Sequence, residues 1–249
     1  MSYKEPPTQT RPAPISAVIV DVGGTLWPDR PRLSEADGAL RASRLLAAVP
    51  ALTPDLCPDL IRHLEGRASE LDVALEQDTD GCIREVAEWL GLALEAPACR
   101  AVREAMCLPA RGRVELFAGA RDFLATIKAL RLHCVILSNA IWRGAEAYRR
   151  DFEDLGVSAY LDAIVTSIEV GFRKPHRAMF EAALAAAGCP AVRCVLVGNS
   201  ERNDVEPAVA LGLRVIRVAI EEPRPASTVA QAVAGSLHEA AAILRAWAG

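Results

Sequence analysis

ISAVIVDVGGTL, residues 15–26, is the most informative stretch of this 249-residue chain. Its first six residues form a short apolar run that is rich in β-branched side chains, which is typical of a buried strand. Asp21 ends the run, and the glycines that follow it indicate a tight turn. The stretch therefore predicts a buried strand whose carboxyl end carries Asp21 into a glycine-rich turn.

From residue 119 onward, strand-like and helical patterns alternate along the chain. Apolar runs predict strands at 134–137, 163–166, 194–197 and 214–220. Amphipathic segments predict helices at 119–131, 143–155, 176–187, 204–211 and 236–247. Strands that alternate with helices favour a parallel sheet covered by helices on both faces, so the predicted fold class is α/β.

Residues 35–107 show a different pattern. They are rich in Ala, Leu, Glu and Arg at helical spacing, and prolines and glycines interrupt them at intervals. We expect about four helices and no strand there. Such a block is long for a loop, so we predict an inserted helical domain over 31–112, with the α/β domain formed by 15–30 and 113–249. The Pro-rich residues 1–14 are predicted to be a poorly ordered tail.

Composition argues against several classes of protein. The net charge of -4 gives no indication of nucleic-acid binding. No apolar run approaches the roughly 20 residues that a membrane helix needs, and the first residues lack the apolar stretch of a signal peptide. The seven cysteines include no CxxC pair, so we expect reduced, mostly buried thiols rather than disulfides or a zinc site. We therefore expect a cytoplasmic protein.

Polar residues follow the predicted strands at the points where the strands end. They are Asp21, Ser138 with Asn139, and the stretch from Asn199 to Asp204. In open α/β sheets, ligands bind beyond the carboxyl ends of the strands. Lys174 lies in a loop of the same region, and only three lysines occur in the whole chain. The sequence thus predicts one site that contains these groups.

The residue types at these positions suit phosphoryl transfer. Asp21 is placed for nucleophilic attack, and the glycines after it let main-chain N–H groups approach a phosphate. The Ser138 hydroxyl can donate to a phosphoryl oxygen, and Lys174 can neutralise developing negative charge. Asp204 can hold Mg²⁺, which prefers oxygen ligands. The predicted chemistry is formation and hydrolysis of an aspartyl-phosphate.

Four stretches together resemble the motifs of the haloacid dehalogenase-like hydrolase superfamily. DVGGTL at 21–26 resembles its DxDGTL motif, and VILSN at 135–139 resembles the strand that ends in Ser/Thr-Asn. EVGFRKP at 169–175 is similar to the lysine motif, and VLVGNSERND at 195–204 resembles the GDSxxND motif. The resemblance covers about residues 15–221. It implies a Rossmann-like core, and the helical insertion matches the superfamily's C1-type cap, a mobile lid over the site.

The resemblance also implies the role of each site residue and a Mg²⁺-assisted phosphohydrolase activity on a small phosphorylated substrate. Asp21, Lys174 and Ser138 are the expected catalytic residues. The expected phosphate-binding residues are Gly23, Gly24, Thr25, Ser138, Asn139 and Lys174. The expected metal ligands are Asp21, the Gly23 carbonyl, Asn199 and Asp204.

Two positions depart from the family pattern. Gly23 stands where the family has a second aspartate, its general acid and base, and loss of such a group typically costs roughly 10²–10⁴ in rate. Asn199 stands where the family has an aspartate that binds the metal directly. The site has two negative charges fewer than the pattern, so we predict weak magnesium binding.

Three functions remain open at this point. A phosphatase whose substrate has a good leaving group needs little acid assistance. A metal-independent 2-haloacid dehalogenase expels halide, which takes no proton, although family members with that activity carry an aromatic residue at the position of Gly23. A catalytically weak binding or regulatory protein is the third, but a decayed site need not retain all five of the motif residues Asp21, Thr25, Ser138, Lys174 and Asp204.

Other features of the sequence are less specific. Carbon–phosphorus cleavage through a lysine of the cap can be set aside because no lysine lies between Lys4 and Lys128. Trp27 and Arg30 follow the first motif near the expected hinge of the cap, where either substrate contact or hinge packing is open. The sequence leaves open whether the protein is a monomer or a homodimer.

Overall fold

The computed structural model describes residues 13–29 and 34–249. Within these ranges, six parallel strands form one sheet in the order β3-β2-β1-β4-β5-β6. The strands are β1 Ala17–Val20, β2 His133–Ser138, β3 Ala163–Thr166, β4 Cys194–Gly198, β5 Arg214–Val218 and β6 Ala232–Ala234. The helices are α1 Glu35–Ala48, α2 Cys57–Val73, α3 Thr79–Trp89, α4 Ala96–Met106, α5 Ala120–Ala129, α6 Ala145–Asp154, α7 Ser167–Val170, α8 Arg177–Ala187, α9 Glu206–Ala210 and α10 Leu237–Ala248.

The first predicted strand lies at the centre of the sheet. Val20 of β1 is paired with Ile136 of β2 on one side and with Val197 of β4 on the other. All four residues of β1 are fully buried. Val18 and Val20 pack in the cluster formed by α5, α6 and α10, whereas Ala17 and Ile19 pack in the cluster formed by α8 and α9. Helices on both faces explain why this strand is apolar throughout.

The predicted α/β class and each predicted strand are confirmed, and two short elements were missed. β6 and α7 have three and four residues, which is too short for hydrophobic periodicity to reveal. The helix predicted over 204–211 is instead a π-helical turn, Glu201–Val205, followed by α9. The turn is wide because the main-chain N–H groups of Asp204 and Val205 both donate to the Ser200 carbonyl.

The block between β1 and α5 is helical, as predicted. α1, α2, α3 and α4 surround a hydrophobic cluster of their own, separate from the two clusters of the sheet. Two main-chain hydrogen bonds join this helical segment to the lysine loop, from Gln77 to the Gly171 carbonyl and from Arg173 to the Leu75 carbonyl. Residues 35–106 therefore have a core that does not depend on the sheet.

Some predictions fall outside the part of the chain that the structure describes. They are residues 1–12 of the predicted tail, the predicted start of the cap at 31, and Arg30 at the expected hinge. The domain boundaries at 31–112 therefore stay a prediction. All seven cysteines lie within the described ranges as free thiols, six of them buried, as the sequence predicted. No helix in those ranges is long and apolar enough to cross a membrane.

Candidate active site

The predicted site residues meet at the carboxyl edge of the sheet. β1, β2 and β4 are neighbours and run in parallel, so Asp21, Ser138 and Asn199 emerge at the same edge. The Asp21 N–H donates to the Val197 carbonyl at 2.9 Å, which continues the pairing of β1 with β4 past the end of the strand. Asp21 is buried and lines a cavity of about 980 Å³.

Lys174 lies between two carboxylates. Its Nζ is 2.6 Å from Asp21 Oδ1 and 2.6 Å from Asp204 Oδ1, and it also donates to the Leu137 carbonyl at 3.2 Å. All three side chains are at least nine-tenths buried. One ammonium thus neutralises part of the charge of two buried carboxylates, which leaves the group of three with a net charge of -1 when all are ionised.

Burial and charge act in opposite directions on these groups. Burial alone would lower the pKa of Lys174, but the adjacent Asp204 and Asp21 carboxylates hold that pKa above its usual value. Burial raises the pKa of Asp204, and repulsion from Asp21 adds to the rise, against the opposing attraction of Lys174. The lysine is therefore a fixed positive charge.

Asn139 holds the lysine loop in place. Its Oδ1 accepts from the Lys174 main-chain N–H at 2.7 Å, and its Nδ2 donates to the Lys174 carbonyl at 3.0 Å. Both polar atoms of the side chain are therefore engaged with the backbone of Lys174. The geometry assigns this side chain to orienting the lysine loop, and the predicted contact of Asn139 with phosphate stays a prediction.

Several hydrogen-bond donors of the glycine-rich turn form bonds within the turn itself, which the sequence did not predict. The Gly24 N–H donates to the Trp27 carbonyl at 2.7 Å, and the Thr25 N–H donates to the Val22 carbonyl at 3.1 Å. The Thr25 hydroxyl donates to Asp21 Oδ2 at 3.0 Å. These donors close the turn and hold the Asp21 carboxylate, and the phosphate-binding role of Gly24 and Thr25 stays a prediction.

Gly24 is required by its conformation and by its surroundings. Its φ is +69°, in the left-handed region that favours glycine. A Cβ at this position would also collide with the Asn199 side-chain amide. In contrast, the Gly23 N–H donates to no residue within the described ranges, so it is a donor that remains for a ligand.

Ser138 is held by an aromatic cluster. Its Oγ lies 2.7 Å from the Tyr148 hydroxyl, and both side chains are buried. Burial raises the pKa of Tyr148, so its phenol keeps its proton. Trp27 stacks on Tyr148 with ring centroids 5.9 Å apart and contacts Phe152 at 5.3 Å. Trp27 is thus packed in the core behind the site, which favours the packing role over substrate contact.

The π-helical turn presents Asp204 to the site. Asp204 Oδ2 accepts from the Ser200 N–H at 3.1 Å, while its Oδ1 faces Lys174. A Cβ at Gly198 would lie 2.8 Å from the Asp204 Cβ, so the glycine that ends β4 makes room for this side chain. The neighbouring Glu201 turns away from the ammonium and pairs with Arg217 at 2.7 Å.

The predicted metal ligands are all oxygen donors. Asp21 and Asp204 supply carboxylates, and the Gly23 carbonyl and Asn199 amide are neutral groups at the same edge. No cluster of three or more His, Cys, Asp or Glu side chains suited to a metal occurs within the described ranges. Two carboxylates with neutral oxygens fit Mg²⁺, which is commonly bound through one or two carboxylates plus water and substrate phosphate.

The cavity over Asp21 is lined by both parts of the chain. Its lining includes residues of α1, α2 and the segment 106–114 together with residues of the lysine loop and the π-helical turn. Arg41 pairs with Glu65 at 2.6 Å, and Arg173 of the lysine loop pairs with Asp72 of α2 at 2.6 Å. These ion pairs give the wall opposite Asp21 a polar character.

Asp37 lies where the helical segment begins. It forms a capping box with Ser34 at the start of α1, and its carboxylate also pairs with Arg113. The Ser34 main-chain N–H and the Arg113 guanidinium lower the pKa of Asp37 to about 2. Asp37 and Arg113 therefore link α1 to the segment that leads back into α5.

Several residues of the site were not anticipated from the sequence. Tyr148, Arg143 and Asp29 all line the cavity. Arg143 pairs with the buried Asp151 and lies over the Tyr148 ring at 5.4 Å. None of them follows a strand directly, so the strand-end rule that located Asp21 and Ser138 did not reach them.

A scan of protein families matches residues 15–212 to the haloacid dehalogenase-like hydrolases. The chain belongs to this family. The order of the four motifs, the parallel sheet and the early helical segment agree with that assignment. The structure brings together the predicted Asp21, Ser138, Lys174 and Asp204, while their roles in catalysis remain to be tested.

Curated relatives match over a limited stretch. Glyceraldehyde 3-phosphate phosphatase of Methanothermobacter thermautotrophicus is 44% identical over 64 residues, which are 26% of this chain and 28% of that protein. Ribulose-1,5-bisphosphate 5-phosphatase of Halopiger xanaduensis is 38% identical over 64 residues, 26% of this chain and 27% of that protein. The matches thus span about a quarter of the length of these relatives.

Solved structures match over almost the whole chain. A HAD phosphatase from Thermococcus onnurineus has a TM-score of 0.58 at 17% identity, covering 92% of this chain and 98% of its own. The magnesium-bound YfnB of Bacillus subtilis has a TM-score of 0.55 at 18% identity, with 93% and 99% covered. L-2-haloacid dehalogenase from Xanthobacter autotrophicus has a TM-score of 0.53 at 16% identity, with 93% and 98% covered. At these identities the likeness shows the fold.

Proposed function

We propose that this protein is a phosphohydrolase that cleaves a small phosphorylated metabolite through an aspartyl-phosphate on Asp21. The observation that carries the proposal is the buried Lys174 ammonium, 2.6 Å from both Asp21 and Asp204 at the floor of the cavity. A charge held in this way is ready to compensate an incoming phosphoryl group without reorganisation.

The proposed first step is attack of an Asp21 carboxylate oxygen on phosphorus, which breaks the bond from phosphorus to the leaving-group oxygen and releases the dephosphorylated product. Lys174 reduces the repulsion between that carboxylate and the phosphoryl oxygens, and the Thr25 hydroxyl holds the carboxylate in orientation. The Ser138 hydroxyl and the Gly23 N–H donate to phosphoryl oxygens. Water then attacks the phosphorus of the aspartyl-phosphate, which returns Asp21 as a carboxylate and releases inorganic phosphate.

Asp21, Asp204, the Gly23 carbonyl and the Asn199 amide oxygen would hold Mg²⁺. When bound, this ion supplies positive charge that binds the substrate phosphate and stabilises the charge of the transition state. Because Asn199 brings no negative charge, the proposed affinity for magnesium is weak. The magnesium-bound YfnB structure, which shares this fold, agrees with the choice of metal.

The proposed substrate class is a small phosphorylated metabolite. A cavity of about 980 Å³ lies at the upper end of the range of roughly 300–1,000 Å³ that is usual for small-molecule sites. The two curated relatives named above act on phosphorylated sugars, which supports the same class. The polar wall of the cavity suits a substrate that carries hydroxyl groups beside its phosphate.

The test is phosphate release from a panel of sugar phosphates, alkyl phosphates and acyl phosphates, with Mg²⁺ and with EDTA. Asp21→Asn should abolish release, because an amide is a poor nucleophile. Asp122→Asn is the matched control, since that aspartate lies on α5 with its side chain 73% exposed and does not line the cavity. Removal of magnesium should also abolish release.

Other results would favour the alternatives. Chloride release from 2-chloropropionate that persists in EDTA and requires Asp21 would identify a dehalogenase instead. Wild-type release no greater than that of Asp21→Asn on every substrate, with no halide release, would overturn both enzymatic functions. A binding or regulatory role would then be the remaining explanation of the arrangement of Asp21 and Lys174.

A further inference from the structure

The position that lacks the family's general acid lies against another carboxylate. A Cβ built at Gly23 would lie 2.8 Å from Asp29 Oδ1 and 3.5 Å from its Cγ. The Asp29 carboxyl group therefore lies close to where a side chain of residue 23 would leave the backbone. Asp21, Gly23 and Asp29 all line the same cavity.

The backbone of Gly23 gives no other reason for a glycine. Its φ is not positive, unlike that of Gly24, so an ordinary side chain could adopt its conformation. A side chain at position 23 would contact the Asp29 carboxylate. Because residue 23 has no side chain, the Asp29 carboxylate occupies the place beside its Cα.

The turn between the two residues is well held. The Trp27 N–H donates to the Val22 carbonyl, and the Gly24 N–H donates to the Trp27 carbonyl, so Trp27 runs beside Gly23. Leu26 accepts from the Phe117 N–H at 2.8 Å. Trp27 is itself buried at 6% exposure in the aromatic cluster behind the site. This turn folds the chain back and returns Asp29 to the site.

We propose that Asp29 is the general acid and base of this enzyme, placed against Gly23 by the folded-back turn. The inference rests on the phosphohydrolase function proposed above. It explains how the site retains an acid although residue 23 has no side chain.

The proposed proton transfers balance over the two steps. In the first, Asp21 bonds to phosphorus, the bond to the leaving oxygen breaks, and that oxygen takes its proton from the Asp29 carboxylic acid. In the second, the Asp29 carboxylate takes a proton from the attacking water, whose oxygen bonds to phosphorus. The bonding pair of the aspartyl-phosphate returns to Asp21, and Asp29 is again protonated.

Other carboxylates of the cavity are less suitable. Asp37, Glu65 and Glu201 line the cavity, but none of them is among the atoms nearest to a Cβ at Gly23, which all belong to Asp29. Glu222 lines the cavity and is exposed, as is Asp29, but no contact places it at Gly23. Glu222→Gln is therefore a matched control for Asp29→Asn, because both changes remove one exposed carboxylate from the same cavity.

The experiment compares leaving groups. With an alkyl phosphate, whose alkoxide must be protonated, Asp29→Asn should lower kcat/KM by roughly 10²–10⁴, and Glu222→Gln should change it little. With p-nitrophenyl phosphate the leaving group needs no proton, so formation of the aspartyl-phosphate should survive while its hydrolysis slows. The variant should then release p-nitrophenol in a burst of about one per enzyme, followed by slow turnover.

An exchange of positions provides a second test. Asp29→Gly should lose alkyl phosphatase activity as Asp29→Asn does. The double variant Asp29→Gly with Gly23→Asp should have an alkyl phosphatase activity at least roughly tenfold above that of Asp29→Gly, because a carboxylate then reaches the same region from residue 23.

The outcomes separate this inference from the function on which it rests. If the wild type releases no phosphate from any substrate, the phosphohydrolase proposal and the role of Asp29 both fail. If the wild type is active and Asp29→Asn keeps its alkyl phosphatase activity and shows no burst, the role of Asp29 alone is overturned.

Discussion

Replacing Lys174 by methionine tests the electrostatic arrangement of the site. The substitution keeps most of the aliphatic volume but leaves Asp21 and Asp204 buried together without the ammonium between them. Removing one partner of a buried ion pair typically costs 3–5 kcal/mol, so we expect about that loss in the free energy of unfolding. For a chain of this size it corresponds to a fall in Tm of roughly 6–20 °C.

Lys128→Met is the matched control. Lys128 pairs with Asp162 at the same distance of 2.6 Å, but both side chains are about 30% exposed. Such surface pairs contribute about 0.2–1 kcal/mol, so this variant should unfold close to the wild type. The assay is thermal and urea unfolding of both variants at neutral pH, with phosphate release measured in parallel, and Lys174→Met should show no activity.

A second substitution tests the cause of the loss. In Lys174→Met, Asp204→Asn removes one of the two carboxylates left without a cation, so it should restore about 1–3 kcal/mol of the lost stability. In the wild-type background the Lys174 ammonium is present, so Asp204→Asn should not raise the stability. The reasoning is refuted if Lys174→Met unfolds no more easily than Lys128→Met.

Three further substitutions probe the turn, the serine and the start of α1. Gly24→Ala should abolish activity, because its φ of +69° is strained for alanine and its Cβ would collide with the Asn199 amide. Gly91→Ala has a similar φ of +77° but open space around it, so this control should stay active. Equal activities of the two variants would contradict this prediction. Tyr148→Phe should cost about 1–2 kcal/mol in urea unfolding and raise KM, because Ser138 loses its hydroxyl partner; an unchanged midpoint would refute it. Asp37→Asn should lower the free energy of unfolding at neutral pH. The difference in this free energy from wild type should shrink as pH falls from about 4 towards about 2, because the pKa of Asp37 is depressed in the folded state. A difference that does not depend on pH would contradict the proposed role of Asp37.

The elements that hydrophobic periodicity encodes could be predicted from the sequence. The strand that precedes Asp21 and the four helices of residues 35–106 each show a clear local pattern. α7 and β6 could not be predicted in this way because they are too short. The π-helical turn before α9 depends on hydrogen bonds of Ser200 and Asp204, which periodicity does not report.

The candidate site shows a similar division. Asp21 follows β1 directly and Ser138 ends β2, and the motif order placed Lys174 and Asp204 with them. The hydrogen bonds that Gly24 and Thr25 make within the turn and to Asp21 were not predicted, and the phosphate contacts assigned to these two residues stay a prediction. Which N–H groups remain for a ligand depends on the closure of the turn, and residue types do not reveal it.

The sequence by itself determined the longer strands and helices along the chain, the helical segment 35–106 and the residues that end the central strands, because these follow from local apolar patterns and motif spacing. Only the tertiary structure decided which charges meet. Lys174 reaches Asp21 across 153 positions of sequence, and Asp29 lies against Gly23 because a buried turn folds the chain back. Interatomic distances of a few ångströms depend on how the elements pack and how loops close. The hydrophobic periodicity of the sequence predicts neither of these.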